Sequence, residues 1–152
     1  MLTYLLVFLT AAIPGFEVLV AVPLGILRGL SPTVAIVIGF AGNASTILLE
    51  IIVFHKVKAW WERKKKKNVT KSSKRTVRAE NIWRRYGILG LALLGPVLIG
   101  SHLAAFLALT LGSSKQQTAT WLLLSLGIWS IVFGVLAALG IDAFQWFRHG
   151  LS

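Results

Sequence analysis

The sequence predicts an all-α integral membrane protein with two inverted repeats. Each repeat is expected to be a re-entrant helical hairpin plus one transmembrane helix, and a basic cytoplasmic loop joins the two. Three observations lead to this prediction. Of the 152 residues, 56% are hydrophobic, more than a soluble domain of this length needs. The apolar residues fall into four segments, two of which are interrupted by proline and glycine, and most cations lie in a single stretch.

The charge distribution predicts the orientation of the chain in the membrane. Thirteen of the 16 Lys and Arg residues, and two of the five acids, lie between His55 and Arg85. This stretch therefore carries the whole formal net charge of +11, and the rest of the chain is neutral. Positively charged connections stay on the cytoplasmic side, so we expect residues 55–86 in the cytoplasm of a multi-pass protein of the cell (plasma or inner) membrane.

The four apolar segments are residues 2–27, 33–54, 87–111 and 118–141. The second and fourth segments are not interrupted by proline. At ~1.5 Å per residue the second segment reaches about 33 Å, enough to cross the hydrocarbon layer, and the fourth is slightly longer. We therefore expect these two segments to be ordinary transmembrane helices.

The first and third segments contain residues that break helical hydrogen bonds. Each is divided into arms of about 12 residues, and an arm of that length reaches only ~18 Å, roughly half of the bilayer. Each segment therefore fits a re-entrant hairpin, although a single kinked helix of about 25 residues would also be long enough to span. The expected breaks are at Pro14, Gly15, Pro23, Gly95, Pro96 and Gly100.

The order of the segments predicts a single membrane domain with an internal repeat. Residues 1–54 form the first repeat, residues 55–86 the basic loop, residues 87–141 the second repeat and residues 142–152 a tail. With two hairpins both termini face outward, whereas with four spanning helices both are cytoplasmic. Paired broken segments in inverted repeats mark a substrate site near the middle of the membrane.

Three runs of residues resemble a known family: PGFEVLVAVPLGI from Pro14, GFAGN at 39–43, and RYGILGLALLGPVLIGSHLAAFLAL from Arg85. They are similar to the putative small multidrug export proteins, distant relatives of the DedA/VTT membrane proteins. The resemblance implies hairpin-plus-span inverted repeats and a transporter of hydrophobic or lipid-linked substrates. Relatives often carry Arg where this chain has Leu19, and their second hairpin is often richer in proline and closes on Thr-Gly.

Glu17 is the leading candidate for a functional residue. A carboxylate inside a membrane segment costs roughly 2.5–3.5 kcal/mol, so such a residue usually has a role. Removed from water, Glu17 is a plausible proton carrier near neutral pH. The alternative is a protonated Glu17 that binds carbonyl groups freed by Pro14 or Pro23.

The second broken segment carries the next candidates, Ser101 and His102. If the tips of the two hairpins meet, His102 would pair with Glu17. Alternatively, its ring binds a backbone carbonyl and holds the shape of the hairpin. Asn43 lies in the middle of the second segment, where an amide needs a partner across helices, with substrate contact as the other option.

Charged residues near the cytoplasmic surface have simpler interpretations. Glu50 lies near His55 and Lys56 and is expected to form an interfacial ion pair, or else to serve as a cytoplasmic proton exit. The basic loop, with tryptophans at its borders, is expected to contact anionic lipid headgroups. The residues predicted to make that contact are Arg63, Lys64, Lys65, Lys66 and Lys67.

These residues favour a secondary transporter or lipid flippase-like protein, proton-coupled if Glu17 titrates, for a hydrophobic or lipid-linked substrate. The alternative is a non-transporting membrane scaffold that binds anionic lipid or a partner through its basic loop. A four-span antiporter of the small multidrug resistance type is a third option. The chain has no cysteine and none of the nucleotide, hydrolase or zinc motifs, so no enzyme, cofactor, metal site or nucleic-acid partner is expected. The partners would be membrane lipids and, for so small a chain, a second copy in a homodimer.

Overall fold

The fold was analysed in a computed structural model. It describes the backbone of residues 1–67 and 74–150, and the side chains of residues 1–54, 56 and 81–141. Every regular element in these ranges is helical, which confirms the predicted all-α class. The helices are α1 (Leu2–Ala12), α2 (Glu17–Leu27), α3 (Pro32–Lys67), α4 (Lys74–Leu98), α5 (Ser101–Thr110) and α6 (Lys115–Gly150).

Two helices contain apolar stretches long enough to cross a membrane. The stretch Pro32–Phe54 of α3 has 23 residues, and the stretch Lys115–Ile141 of α6 has 27. At ~1.5 Å per residue both exceed the ~30 Å hydrocarbon layer. They coincide with the two segments that the sequence predicts to be spanning helices.

The first broken segment forms two short helices that pack against each other. Helices α1 and α2 have 11 residues each, and neither is long enough to cross a bilayer. The chain turns between them at residues 13–16, where Gly15 has a left-handed backbone with φ of 102°. Gly25 of α2 lies so close to α1 that a Cβ there would come 3.0 Å from Cγ2 of Val7. Pro23, a predicted break, lies inside α2 instead.

The second broken segment also forms a packed helix pair, α4 with α5. Of its three predicted breaks, Gly100 lies at the turn, whereas Gly95 and Pro96 lie inside α4. A proline removes one hydrogen bond of a helix and need not end it when neighbouring bonds persist. Here the backbone N–H groups of Ile99 and Gly100 both donate to the Gly95 carbonyl, at 2.9 Å, and close the last turn after Pro96. The chain then turns at Gly100, whose φ of 96° suits glycine.

Much of the predicted basic loop is helical. Helix α3 continues past Phe54 to Lys67, and α4 begins at Lys74. Both stretches are rich in Lys, Arg, Ala and Glu, which have high helix propensity. Gly87, with φ of 63° and ψ of −152°, separates the polar first part of α4 from its apolar second part.

The two connections from a short helix to a long one have the same local geometry. Gly29 lies two residues after the end of α2, and Gly112 lies two residues after the end of α5. Both have a positive φ, and the backbone hydrogen bonds around each form the pattern of a Schellman motif. Ser31 and Ser114 then cap α3 and α6, each accepting a hydrogen bond from the backbone N–H three residues later. Gly29 and Gly112, like Ser31 and Ser114, stand 83 positions apart.

The described chain forms two compact units. The first consists of Met1–Ser45 with the part of α6 from Leu126 onward, and the second of Thr46–Ser125. Each unit contains one helix pair, a part of α3 and a part of α6. This division cuts α3 and α6 in the middle, whereas the repeat boundaries predicted from the sequence remain a prediction.

Replacing Gly29 or Gly112 by Ala should lower the free energy of unfolding by roughly 1–2 kcal/mol, because a Cβ disfavours their left-handed backbone. No atom lies within 4 Å of the new Cβ at either site, so the cost is purely conformational. Gly140→Ala is the matched control. It also has open space but lies inside α6, where Ala should be neutral or stabilising. Thermal unfolding in detergent, followed by circular dichroism, measures the difference. Equal stability of all three variants would contradict the assigned turns.

Candidate functional site

Glu17 is a buried acid at the turn of the first helix pair. It is the first residue of α2, its residue surface is only 4% exposed, and it has a positive φ of 50°. Among the described residues it is the one non-glycine with a positive φ. This backbone conformation costs a residue with a Cβ roughly 1–2 kcal/mol. Residues held in such conformations occur preferentially at functional sites.

In the second helix pair, the residue with a positive φ at the turn is a glycine. Gly100 stands 83 positions after Glu17, the same separation that relates the two capping serines, and its φ is 96°. The second turn therefore has a residue with a positive φ but no carboxylate there. Ser101, the first residue of α5, is fully buried just after that turn.

Helix α3 supplies the second buried polar side chain of the first unit. Gly39 lies against α2, where a Cβ would come 2.7 Å from Cγ2 of Val22. One turn later Gly42 lies against α1, where a Cβ would collide with the carbonyl oxygen of Phe8. Such close approach through small residues is typical of membrane helices. Asn43, which follows Gly42, is fully buried, and it belongs to the same unit as Glu17.

Helix α6 adds a third buried polar residue to the first unit, and the sequence analysis did not identify it. Ser130 is fully buried, and its hydroxyl donates to the Leu126 carbonyl at 2.7 Å. Close by along α6, Gly134 packs against Ile36 of α3. Serines that bind their own helix in this way are common, so the sequence offers no signal that separates Ser130 from its neighbours.

In the second unit, His102 of α5 contacts Thr46 of α3. The distance between His102 Nε2 and Thr46 Oγ1 is 3.1 Å. The predicted contact between the His102 ring and a backbone carbonyl stays a prediction. Thr46 was not among the candidate residues, although its position one helical turn before Glu50 is a signal that could have found it.

Glu50 lies on the same face of α3 as Thr46. It is partly exposed, but its Oε2 atom is buried. Of the two residues expected to pair with it, Lys56 is exposed, and the side chain of His55 lies outside the described residues. Near Glu50, the side chain of Lys115, the first residue of α6, donates to the carbonyl oxygen of Ile52 at 3.3 Å.

Two further predictions concern the pairing of Glu17 with His102 and the contacts of the basic run with lipid headgroups. Glu17 belongs to the first unit and His102 to the second, and their pairing is a prediction. The predicted headgroup contacts at 63–67 lie on the backbone of α3, but these side chains are outside the described residues. Within the described part of the chain, no group of three His, Cys, Asp or Glu residues could hold a metal ion.

Comparison with known proteins places the chain in a family. The model of one family, described as "Putative small multi-drug export protein", matches residues 17–132. The comparisons with curated proteins and with solved structures gave no match. The matched range covers well over half of the chain and begins at Glu17 itself. The chain therefore belongs to the putative small multi-drug export protein family, and its apolar helices are those of a membrane transport protein.

Proposed function

We propose that this protein is a proton-coupled secondary transporter of hydrophobic or lipid-linked substrates, and that Glu17 carries the proton. The observation on which the proposal rests is the buried carboxyl group of Glu17 on a left-handed backbone. The fold accepts glycine at the equivalent turn of the second helix pair. The backbone at Glu17 therefore carries a conformational cost of roughly 1–2 kcal/mol, which we attribute to a functional role of the carboxyl side chain.

The coupling follows from the chemistry of a single carboxyl group. In its protonated form Glu17 is neutral and costs little to keep in an apolar interior. In its ionised form it can bind a polar or cationic group of the substrate. Because one carboxyl group cannot hold both at once, proton and substrate occupy it alternately. Asn43, buried in the same unit, would orient the carboxyl group or the substrate.

The lengths of the short helices support the proposal that they enter the membrane and return. Helices α1, α2 and α5 have 10 or 11 residues and reach about 15–17 Å, half of the hydrocarbon layer. Their apolar side chains include exposed ones, such as Leu5 and Leu9, that would face lipid. The connections repeated 83 positions apart support an inverted repeat and a DedA-like ancestry. This arrangement would place both termini outside and the basic segment in the cytoplasm.

Glu17→Gln should abolish uptake driven by a pH gradient, because the amide keeps the size of the side chain but cannot carry a proton. The assay uses proteoliposomes with two probes, the lipophilic cation ethidium and a fluorescent short-chain phospholipid. Glu17→Asp, which keeps the carboxyl group, is the matched control and should retain part of the activity. If Glu17→Gln keeps full uptake and the pH response of the wild type, the proposal is wrong.

The backbone cost at Glu17 can be measured by comparing Glu17→Gly with Glu17→Ala. Both variants remove the carboxyl group, and they differ only in the Cβ methyl group. At a left-handed position the Gly variant should be more stable by roughly 1–2 kcal/mol. Inside an ordinary helix the order is reversed, with Ala better by about 1 kcal/mol. Thermal unfolding in detergent gives the sign, and a more stable Ala variant would remove the argument from strain.

A non-transporting scaffold remains the competing proposal, and the continuation of α3 to Lys67 favours it because a helix presents the basic run in a compact form. Each cation near an anionic leaflet contributes about 1 kcal/mol to binding. Replacing all five residues 63–67 by Gln should therefore weaken binding of a peptide covering 55–86 to phosphatidylserine vesicles. A scaffold predicts that the same change abolishes the cellular role while Glu17→Gln is silent; a transporter predicts the reverse.

A further inference from the structure

One face of α3 in the second unit carries a hydroxyl, a carboxyl and an aromatic ring in succession. Thr46, Glu50 and Phe54 follow each other at intervals of four residues, which places them one above the other on a helix. Side chains at this spacing have Cβ atoms about 5–6 Å apart. The hydroxyl group of Thr46 is therefore within reach of the carboxyl group of Glu50.

Helix α5 contacts this face of α3 at two places, Thr46 and Phe54. At one end the His102 ring contacts the Thr46 hydroxyl at 3.1 Å. At the other end the rings of Phe54 and Phe106 meet edge to face, with their centroids 5.7 Å apart. Glu50 lies between these two contacts, which explains why its Oε2 atom is buried in a residue that is otherwise partly exposed.

We propose that His102, Thr46 and Glu50 form a proton relay in the second unit, with Thr46 as the residue that connects the other two. The proposal rests on the proton-coupled transport proposed above. It names groups of the second unit that pass a proton toward or away from the end of the spanning stretch. Glu50 lies one turn before Phe54, where the apolar stretch of α3 ends and exposed Lys56 follows. The relay therefore runs from His102, inside α5, to the end of the spanning stretch.

The proton step is balanced by the three groups alone. An imidazolium at His102 donates its Nε2 proton to the oxygen of the Thr46 hydroxyl, and that hydroxyl releases its own proton to the carboxylate of Glu50. The result is a neutral imidazole, an intact hydroxyl and a neutral carboxyl group. Rotation of the hydroxyl, release of the Glu50 proton to water and uptake of a new proton by His102 restore the starting state. The reverse step carries a proton from Glu50 to His102.

Few charged groups surround the relay in the described part of the second unit. On α6, Lys115 touches the α3 backbone at Ile52, two residues beyond Glu50. On α4, the polar residues Arg84, Arg85 and Tyr86 are exposed, and the stretch 88–98 has no titratable residue. Lys115 is thus a described cation that contacts α3 near the exit of the relay.

The test is a set of threonine variants in proteoliposomes. Thr46→Val removes the hydroxyl group at constant shape and should lower proton flux, read with a pH-sensitive dye during ethidium uptake, roughly tenfold. Thr46→Ser restores the hydroxyl and should restore most of the flux. Thr110→Val is the matched control, because the Thr110 hydroxyl only donates to the Phe106 carbonyl of its own helix, at 2.8 Å, and its loss should leave the flux unchanged.

His102→Gln and Glu50→Gln should lower the proton flux in the same way, while ethidium counterflow, which needs no net proton transfer, continues at the wild-type rate. Counterflow lost together with proton flux would assign these residues a structural role and overturn the relay. Wild-type proton flux in Thr46→Val would also overturn it. If Glu17→Gln is inactive while all relay variants behave as the wild type, only the relay fails. If Glu17→Gln transports normally, the proposed function itself fails.

Discussion

The fold depends on how the chain satisfies its polar backbone groups where apolar helices break. Lipid offers no hydrogen bonds, so a turn that the proposed hairpins place in the membrane has to be closed by the chain itself. At Gly100 the preceding turn is closed by two bonds to the Gly95 carbonyl, and glycine supplies the left-handed backbone. At the first turn two residues have a positive φ, Gly15 and Glu17, and Glu17 adds a buried carboxyl group there. The proposed proton carrier thus lies where the backbone is already unusual.

Small residues make these turns compatible with tight packing. Gly39 and Gly42 let α3 approach α2 and α1 without intervening side chains, and Gly95 lets α4 approach Ala104 of α5. Because dispersion replaces the hydrophobic effect as the force between helices in lipid, such contacts determine where a helix pair can settle. The buried polar residues Glu17 and Asn43 lie in the unit where Gly39 and Gly42 make this packing possible.

The sequence predicted the helical class, the two spanning stretches and the break at Pro14-Gly15, because length, apolarity and a proline beside a glycine are local signals. It also predicted the break at Gly100 but wrongly expected one at Gly95-Pro96, because the effect of a proline depends on whether the next turn finds another acceptor, and here the Gly95 carbonyl is that acceptor. It could not show the positive φ of Glu17, because glutamate has no preference for that backbone. Thr46 was missed because a threonine in a helix usually binds its own backbone. Its contact with His102 depends on the packing of α5 against α3, which the sequence does not show.

The two units use their polar residues in complementary ways. In the first unit the carboxyl group of Glu17 lies deep in a helix interior, a place suited to holding a proton or a substrate group. In the second unit the polar residues lie in sequence along one helix face and end near exposed Lys56, an arrangement suited to moving a proton. A coupled transporter needs both properties, since a group that binds tightly exchanges slowly unless a path to water exists. The proposed relay would provide such a path, with Thr46 and Glu50 spaced by one helical turn on the same rigid helix α3.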